Sequence, residues 1–432
     1  MPLDVLLADL RAIVGEKGIR TSLAARQRAS VDEAAMSPLL ASRLPLGLAD
    51  VVVLPATIGE AQAAVALAVA HGVPLTARGK GTGNYGQAIP AFGGIVLDLT
   101  RLRTVLDVGE GMIVAEAGAR MIDLELRARD HDQQLWIFPS TVQSTLGGFL
   151  AGGSAGTGTI QHGNTRQGFV VSLDVLLATE GAPLVHVEGG ACNDYLHSFG
   201  VTGIIVRATV RLEPVADWTA VYASFADLGE ATRALRAAGA VRPAPRLVSV
   251  DDAGIVAALP ADEALPTGRA SLRVVAERST VAEVEAIIRS GGGRVEAVRD
   301  GFRSALELSL LSYNHPSWWL IRSAPGRIFH LEIFGEELVD RPHEIQAALP
   351  GGRLHVEVGH SFTFGAINAD YDDETSITSA LEVLTALGIA THNNHEWFID
   401  QRVDELRSIA RRTDPQGLLN PGKFAGPSPR QR

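Results

Sequence analysis

Hydrophobic and polar positions divide the chain into three stretches of different character. Residues 1–49 open with one amphipathic helix, and Pro38 and Pro45 then interrupt any regular pattern, so this segment is expected to pack on a larger body. From Asp50 the apolar runs shorten. Val51 to Val53 is β-branched, and Gly59 to His71 has helical spacing. Val73 to Arg78, Ile95 to Leu99, Val105 to Val108 and Met112 to Ala117 read as strands, and Met121 to Asp130 as a helix. Val171 to Thr179 and Leu184 to Val187 flank Glu180-Gly181-Ala182-Pro183, a hairpin signal. Gly203 to Leu212 is a strongly apolar strand, and Pro214 marks a domain boundary.

Beyond Pro214 the pattern becomes strand, helix, strand. Trp218 to Phe225, Asp227 to Ala238 and Arg246 to Val250 form one unit, and Ala270 to Ala276, Val281 to Arg289 and Arg294 to Val298 a second. Arg327 to Phe334, a helix over Pro342 to Ala348, and Arg353 to His360 form the third. The expectation is an antiparallel sheet with helices on one face. Alternation in the third unit sets His330 and Glu332 opposite Leu331 and Ile333, and His355 and Glu357 opposite Val356 and Val358. Two neighbouring strands with such a face would hold substrate ligands or a base, and the same pattern also fits an ordinary solvated face.

A length of 432 residues favours two domains. Hydrophobic residues at 46% and charged residues at 20% are globular values. The net charge of −11 leaves no basic footprint for nucleic acid or an anionic membrane. Cys192 is the single cysteine, which excludes an internal disulfide and a cysteine metal knuckle. Asp4 and Asp9 do not suit a signal peptide and no run reaches bilayer length, so a cytoplasmic location is expected.

The 45 glycines matter most where they cluster. In residues 76–87, Gly79, Gly81, Gly83 and Gly86 allow close backbone approach, and Arg78 and Lys80 add positive charge, a combination suited to a pyrophosphate. Gly81 to Gly86 satisfies G-x-G-x-x-G, yet Pro90, Gly93 and Gly94 follow where a dinucleotide fold needs a helix. Gly417 to Lys423 has the spacing of a triphosphate loop, but Phe424 replaces the required hydroxyl and Pro421 removes a donor. A second cluster runs from Phe138-Pro139-Ser140-Thr141 through Gly147-Gly148 to Gly152-Gly153-Ser154-Ala155-Gly156-Thr157-Gly158. Its small residues would let backbone amides meet another part of the same flat ligand; a mobile glycine-rich linker is the competing reading.

Taken in order, four segments resemble the FAD-binding domain of the vanillyl-alcohol oxidase family, also called PCMH-type FAD-linked oxidases. They are Arg78 to Gly86, Pro139 to Gly153, Thr202 to Leu212 and Asp414 to Lys423. The resemblance implies an α+β chain: a two-subdomain FAD-binding domain over 50–214, a cap over 215–390 whose antiparallel sheet is covered by helices on one face, and a segment over 391–432 returning to the flavin. It implies that Arg78, Gly79, Lys80, Gly81, Thr82, Gly83, Asn84, Gly86 and Gln87 hold the pyrophosphate. By the same likeness Pro139, Ser140, Thr141, Thr145, Gly148 and Gly152 line the flavin, Ile204 or Ile205 meets adenine, and Asn420 and Lys423 reach the isoalloxazine edge. Relatives often link FAD through a histidine in the first loop. Thr82 stands there, which implies noncovalent FAD, with a histidine of the cap as the alternative attachment.

A flavin supplies the electron sink, so the chain must orient a substrate and accept a proton. His315, His395, Tyr313, Glu332 and Glu357 are the candidates for that chemistry, and His330, His355, Trp318 and His392 for substrate contact. Tyr313 to Trp319 reads as a proline-restricted turn forming an aromatic wall or an aromatic core edge. His392 and His395 would share one face if helical, yet a third metal ligand is not specified, so no metal is assigned. The expected function is transfer of hydride from a small alcohol or hydroxy acid to FAD. Oxidation of a phenolic or natural-product intermediate is a second reading, and a non-catalytic cofactor-binding interaction protein a third. The electron acceptor is left open, as is a homodimer.

Overall fold

The computed structural model describes residues 3–33, 36–44, 47–153 and 155–424. Pro45 and Ser154, named above, lie outside the described residues. Strands β1 (Ile19–Arg20), β2 (Val51–Val53), β3 (Leu75–Arg78) and β4 (Ile95–Asp98) form a four-stranded sheet in the order β1-β2-β4-β3. β4 runs parallel to both β2 and β3, a pairing that needs a crossover between β2 and β3. Ile58–His71 supplies it as a helix. Thr57 caps its start by accepting from Glu60 N, and Gly72 at φ 61° ends it. The leading helix, Leu3–Val14, buries Leu6, Leu10 and Val14 in the same core. Pro38 does not break the pattern but starts a short helix, Pro38–Arg43, behind the cap residue Ser37. A proline at the first helical turn forgoes only an amide that would have had no intrahelical partner.

The second sheet contains β5 (Val105–Gly109), β6 (Met112–Glu116), β7 (Gln133–Leu135), β8 (Val170–Leu176), β9 (Leu184–Glu188) and β10 (Ile204–Pro214). The long apolar β10 is central, pairing with β6, β7 and β8, and β8 and β9 form the expected hairpin. The Gly147-Gly148 run is not a loop. Residues Leu146–Gly152 form a helix started by Thr145, whose hydroxyl accepts from Gly148 N. Glycine costs about 1 kcal/mol in a helix relative to alanine. The reason for it here is steric: a Cβ on Gly147 would lie 2.7 Å from Ala117 Cβ.

The third sheet is antiparallel throughout. It comprises β11 (Trp218–Phe225), β12 (Leu247–Asp251), β13 (Ala270–Glu277), β14 (Arg294–Asp300), β15 (Ile328–Phe334), β16 (Arg353–Val358), β17 (Thr363–Asp370) and β18 (Ala390–His392). The order is β14-β11-β13-β12-β16-β17-β15-β18. One face carries Val248, Val250, Leu272, Leu331, Ile333 and Val356 into a core closed by helices including Leu228–Gly239, Val281–Ser290 and Glu374–Ala386. The opposite face is divided. Ala220, Tyr222, Leu247 and Val275 meet the helices Phe302–Ser309 and His315–Ser323, and the remainder turns polar toward the first two sheets.

Two expectations are corrected by this topology. The strands bearing His330 and His355 are not neighbours, because β17 lies between them. Nor is their polar face solvated: His330 is 0% exposed, and His355 and Glu357 are each 1% exposed. β17 escaped the pattern analysis because Gly365, Ala366 and Asn368 dilute its apolar alternation. Gly365 is required by packing, since a Cβ there would lie 2.0 Å from the carbonyl oxygen of His355.

Candidate active site

The glycine loop, the Leu146–Gly152 helix, the start of β10 and the polar half of the third sheet enclose one cavity of about 710 Å³. That volume is within the range of cofactor and ligand sites. At one end the loop is held from behind by its carbonyls. Glu33 N donates to Gly83 O, Lys423 Nζ to Gly86 O, and Asn420 Nδ2 to Gln87 O. Anchoring a loop through its carbonyls is the arrangement that leaves its amides for an anion. Arg78 lines the cavity, and its Nη1 is buried with no hydrogen-bond partner. Its close neighbour is backbone: a Cβ on Gly81, which sits at φ +67°, would overlap the guanidinium.

Opposite the loop, Gly148 and Gly152 lie one turn apart on the same helix face and both line the cavity. A Cβ on Gly152 would meet nothing within 4 Å. The helix therefore presents a bare stripe to the open space. Pro139, Ser140, Thr141 and Thr145 border the same space, as do Ile204 and Ile205. Lys80, Gly79, Thr82, Gly83, Asn84 and Gln87 do too, with Thr82 Oγ1 3.0 Å from Ser144 Oγ. Gly86, Asn420 and Lys423 do not form part of the wall. Asn420 also donates to Phe199 O, at 2.8 Å, and Lys423 sits 5.0 Å from the Trp397 ring centre. The tail thus braces the loop from the rear, where the resemblance had it reaching the isoalloxazine edge. Burial lowers the Lys423 pKa to about 7.

The sheet side of the cavity is built from charged chains that neutralise themselves. His355 Nδ1 lies 2.7 Å from Asp251 and Nε2 3.1 Å from Glu357, and Asp251 also pairs with Arg273. Burial alone would lower the His355 pKa; the two carboxylates outweigh it and raise it to about 9. His392 repeats the motif between Asp400 at 2.6 Å and Glu332 at 2.9 Å, which raise its pKa to about 10. It stands at the end of β18 and not on a helix, so it shares no helical face with His395.

Tyr313 and Asn314 lie in a turn, and the His315–Ser323 helix follows with Pro316 in its first turn. Tyr313 N donates to Glu357 Oε1 at 2.6 Å, and its hydroxyl donates to Gly156 O, tying the sheet to the glycine-rich segment. Tyr313, His315 and Trp318 line the cavity. Burial lowers the His315 pKa to about 4. Glu357, His330 and His395 stand behind the wall. His395 Nδ1 is 2.6 Å from Ser37 Oγ, and His330 Nε2 is 3.0 Å from Tyr85 OH. Sequence reasoning did not single out Tyr85, Asn394, His197, Arg166 or Phe364, which also line the cavity. Tyr85 lies within the glycine loop at 76–87, and an aromatic among glycines is the signal that marks it.

The fold and this cavity define a class. Residues 49–183 match the FAD binding domain family. Particular likenesses follow. An uncharacterised FAD-linked oxidoreductase of Mycobacterium tuberculosis is 29% identical over 224 residues, 50% of this chain and 49% of its own. A D-lactate dehydrogenase of Archaeoglobus fulgidus is 29% identical over 205 residues, 45% of each chain. The chain thus spans about half the length of the curated relatives it matches. Among solved structures, an alkyldihydroxyacetonephosphate synthase superposes with a TM-score of 0.76 at 18% identity, covering 97% of this chain and 85% of the other. A 4-ethylphenol oxidase from Gulosibacter chungangensis gives 0.70 at 18% identity, covering 99% and 98%. No described helix is long and apolar enough to cross a membrane.

Proposed function

We propose that the chain is an FAD-dependent oxidoreductase that removes hydride from an alcohol or hydroxy acid carbon, with FAD held noncovalently. The observation that carries this reading is the single cavity joining the bare Gly148 and Gly152 stripe and the unpartnered Arg78 Nη1 to the histidine-bearing face of the third sheet. The first two features suit a flavin dinucleotide: Arg78 and the Gly79 to Gly83 backbone for its pyrophosphate, Gly148 and Gly152 for its flat ring. Bound there, FAD would supply the two-electron acceptor. Residues 50–214 would hold it, residues 215–390 would cover it, and residues 391–424 would brace the loop.

Noncovalent attachment is favoured because Thr82 stands in the loop and its hydroxyl pairs with Ser144. Cys192 is buried against Val171 and Val187 carbonyls, away from the cavity wall. Tyr313, His315, Trp318 and His392 would form the substrate wall. The similarity to D-lactate and D-2-hydroxyglutarate dehydrogenases supports a hydroxy acid substrate. The aromatic wall of Tyr313, Trp318 and Phe364 supports the second reading, a phenolic substrate. Acid precipitation of the purified protein tests the cofactor: a yellow supernatant and a colourless pellet are expected. A yellow pellet would instead place the link on a histidine of the cap. Anaerobic bleaching by a panel of 2-hydroxy acids, aliphatic alcohols and 4-substituted phenols tests the reaction. A protein that cannot be reconstituted with FAD would leave the non-catalytic reading in place.

A further inference from the structure

We propose that Tyr85, together with His330, accepts the substrate hydroxyl proton in this site. The inference rests on the oxidoreductase reading and names the group that reading leaves open. Tyr85 belongs to the cofactor loop and lines the cavity, while His330 is fully buried one layer behind it on β15. Asn394, which also lines the cavity, places its Nδ2 2.9 Å from Tyr85 OH and 2.6 Å from His330 Nε2.

With the Asn394 amide nitrogen turned to both partners, the direction of each hydrogen bond follows. The Asn394 amide nitrogen only donates. His330 Nε2 therefore faces two donors, the amide and the Tyr85 hydroxyl, and carries no proton. Tyr85 accepts from Asn394 and donates to His330, so one lone pair of its oxygen remains for a donor in the cavity. A substrate hydroxyl is such a donor. Burial, with a smaller contribution from His395, lowers the His330 pKa to about 3 and keeps it neutral and able to accept.

His395 is held neutral in the same way. Ser37 Oγ accepts from Leu40 N at 3.0 Å as a helix cap and lies 2.6 Å from His395 Nδ1. The His330 and His395 rings lie 5.5 Å apart. Two neutral imidazoles behind one phenol form a dry compartment that disfavours a lasting charge, so a proton enters it only while hydride departs.

The substrate O–H bond breaks and its proton bonds to the Tyr85 oxygen, while the Tyr85 proton bonds to His330 Nε2, giving a neutral phenol and an imidazolium. The electron pair of the adjacent C–H bond leaves as hydride for an isoalloxazine oxidant. A hydroxyl whose carbon is losing hydride becomes strongly acidic, so a weak neutral base suffices at that moment. Tyr85 is the group expected to touch substrate; Asn394 and His330 act through it.

Tyr85→Phe removes the hydroxyl and keeps the ring. In the FAD-loaded protein it is expected to slow anaerobic flavin reduction by about 100-fold or more with KM little changed, the scale of a lost general base. The solvent deuterium isotope effect of the wild type is expected to disappear. His315→Ala, by contrast, is expected to raise KM and keep that isotope effect. Nitrogen-15 spectra of labelled histidine read the tautomer with or without flavin, and His330 is expected to carry its proton on Nδ1. A proton on Nε2, which would mean Asn394 presents its oxygen, overturns the relay. So does undiminished reduction in Tyr85→Phe, or loss of the isotope effect in His315→Ala alone. A protein that never takes up FAD defeats the oxidoreductase reading, and the tautomer measurement still decides the hydrogen-bond direction.

Discussion

Gly79 packs directly on Thr145, the cap of the helix facing the cofactor loop, where a Cβ on Gly79 would lie 2.0 Å from Thr145 Oγ1. That hydroxyl is already committed, accepting from Gly148 N at 3.3 Å as the helix cap. It has no room to retreat without uncapping the helix. Gly79→Ala is therefore expected to weaken FAD binding by at least about tenfold and to lower stability by about 1–3 kcal/mol, the range for overpacking. Flavin fluorescence titration and urea unfolding check the two effects.

Gly152→Leu tests the opposite situation. No atom lies within 4 Å of a Cβ there, so folding should be unimpaired and helix propensity improved. The side chain would occupy the cavity. The expected outcome is a normal or raised melting temperature with FAD absent after purification.

Arg246 joins the two halves of the molecule at 2% exposure. It donates to Leu135 O, approaches Glu213 at 3.7 Å, and lies 5.4 and 5.5 Å from the rings of Phe138 and Trp218. Removing one partner of a buried charge cluster typically costs about 3–5 kcal/mol. Arg246→Ala is expected to lose that much in denaturant unfolding, and Arg246→Lys to recover only part, since an ammonium cannot keep both carbonyl and ring contacts.

Stability should fall on both sides of neutrality, for different histidines. His330, His315 and His395 have folded pKa values lowered by burial to about 3, 4 and 4. Below pH 6.5 the unfolded chain takes up protons that the folded chain refuses. Their stabilisation is complete above pH 6.5 and is lost as pH drops toward 4 and 3, by about 1.4 kcal/mol per unit for each group. His355, raised to about 9, behaves inversely: its contribution is complete below pH 6.5 and is lost as pH rises through about 9. Denaturant midpoints from pH 3 to 10 should show both limbs, and His395→Asn should flatten only the acid one.

Lys423→Met keeps the side-chain volume and the contact with Trp397 but removes the donor to Gly86 O. Below the Lys423 pKa of about 7 the donor is charged, and such a hydrogen bond contributes about 1.5–3 kcal/mol. If that energy holds the loop in its binding shape, FAD affinity should drop by about 10- to 100-fold. Unchanged affinity by equilibrium dialysis would show that the loop keeps its shape without the clamp.

The sequence was most informative where one physical signal acted alone. Strict alternation in β15 and β16 identified which of His330, Glu332, His355 and Glu357 share a face, and the strands follow it. It could not reveal β17 between them, because Gly365, which answers to the His355 backbone, and the polar Asn368 interrupt its apolar alternation. Glycine content marked the Leu146–Gly152 segment as a place of close approach but hid its helix, which depends on the Thr145 cap and on tertiary contact with Ala117. The position of Asn420 and Lys423 near the cofactor loop was legible from the motif order. Their facing the loop's carbonyls was not, since motif order carries no direction.

That rear brace also sets an order of events in synthesis. A ribosome makes the loop at Gly79 to Gln87 more than 300 residues before Asn420 and Lys423, the residues that fix its carbonyls. Until then the loop lacks the side-chain donors that clamp its Gln87 and Gly86 carbonyls, however well the sheets around it have formed. Flavin capture becomes a late checkpoint, and a chain cut short in the cap would fail it by remaining colourless.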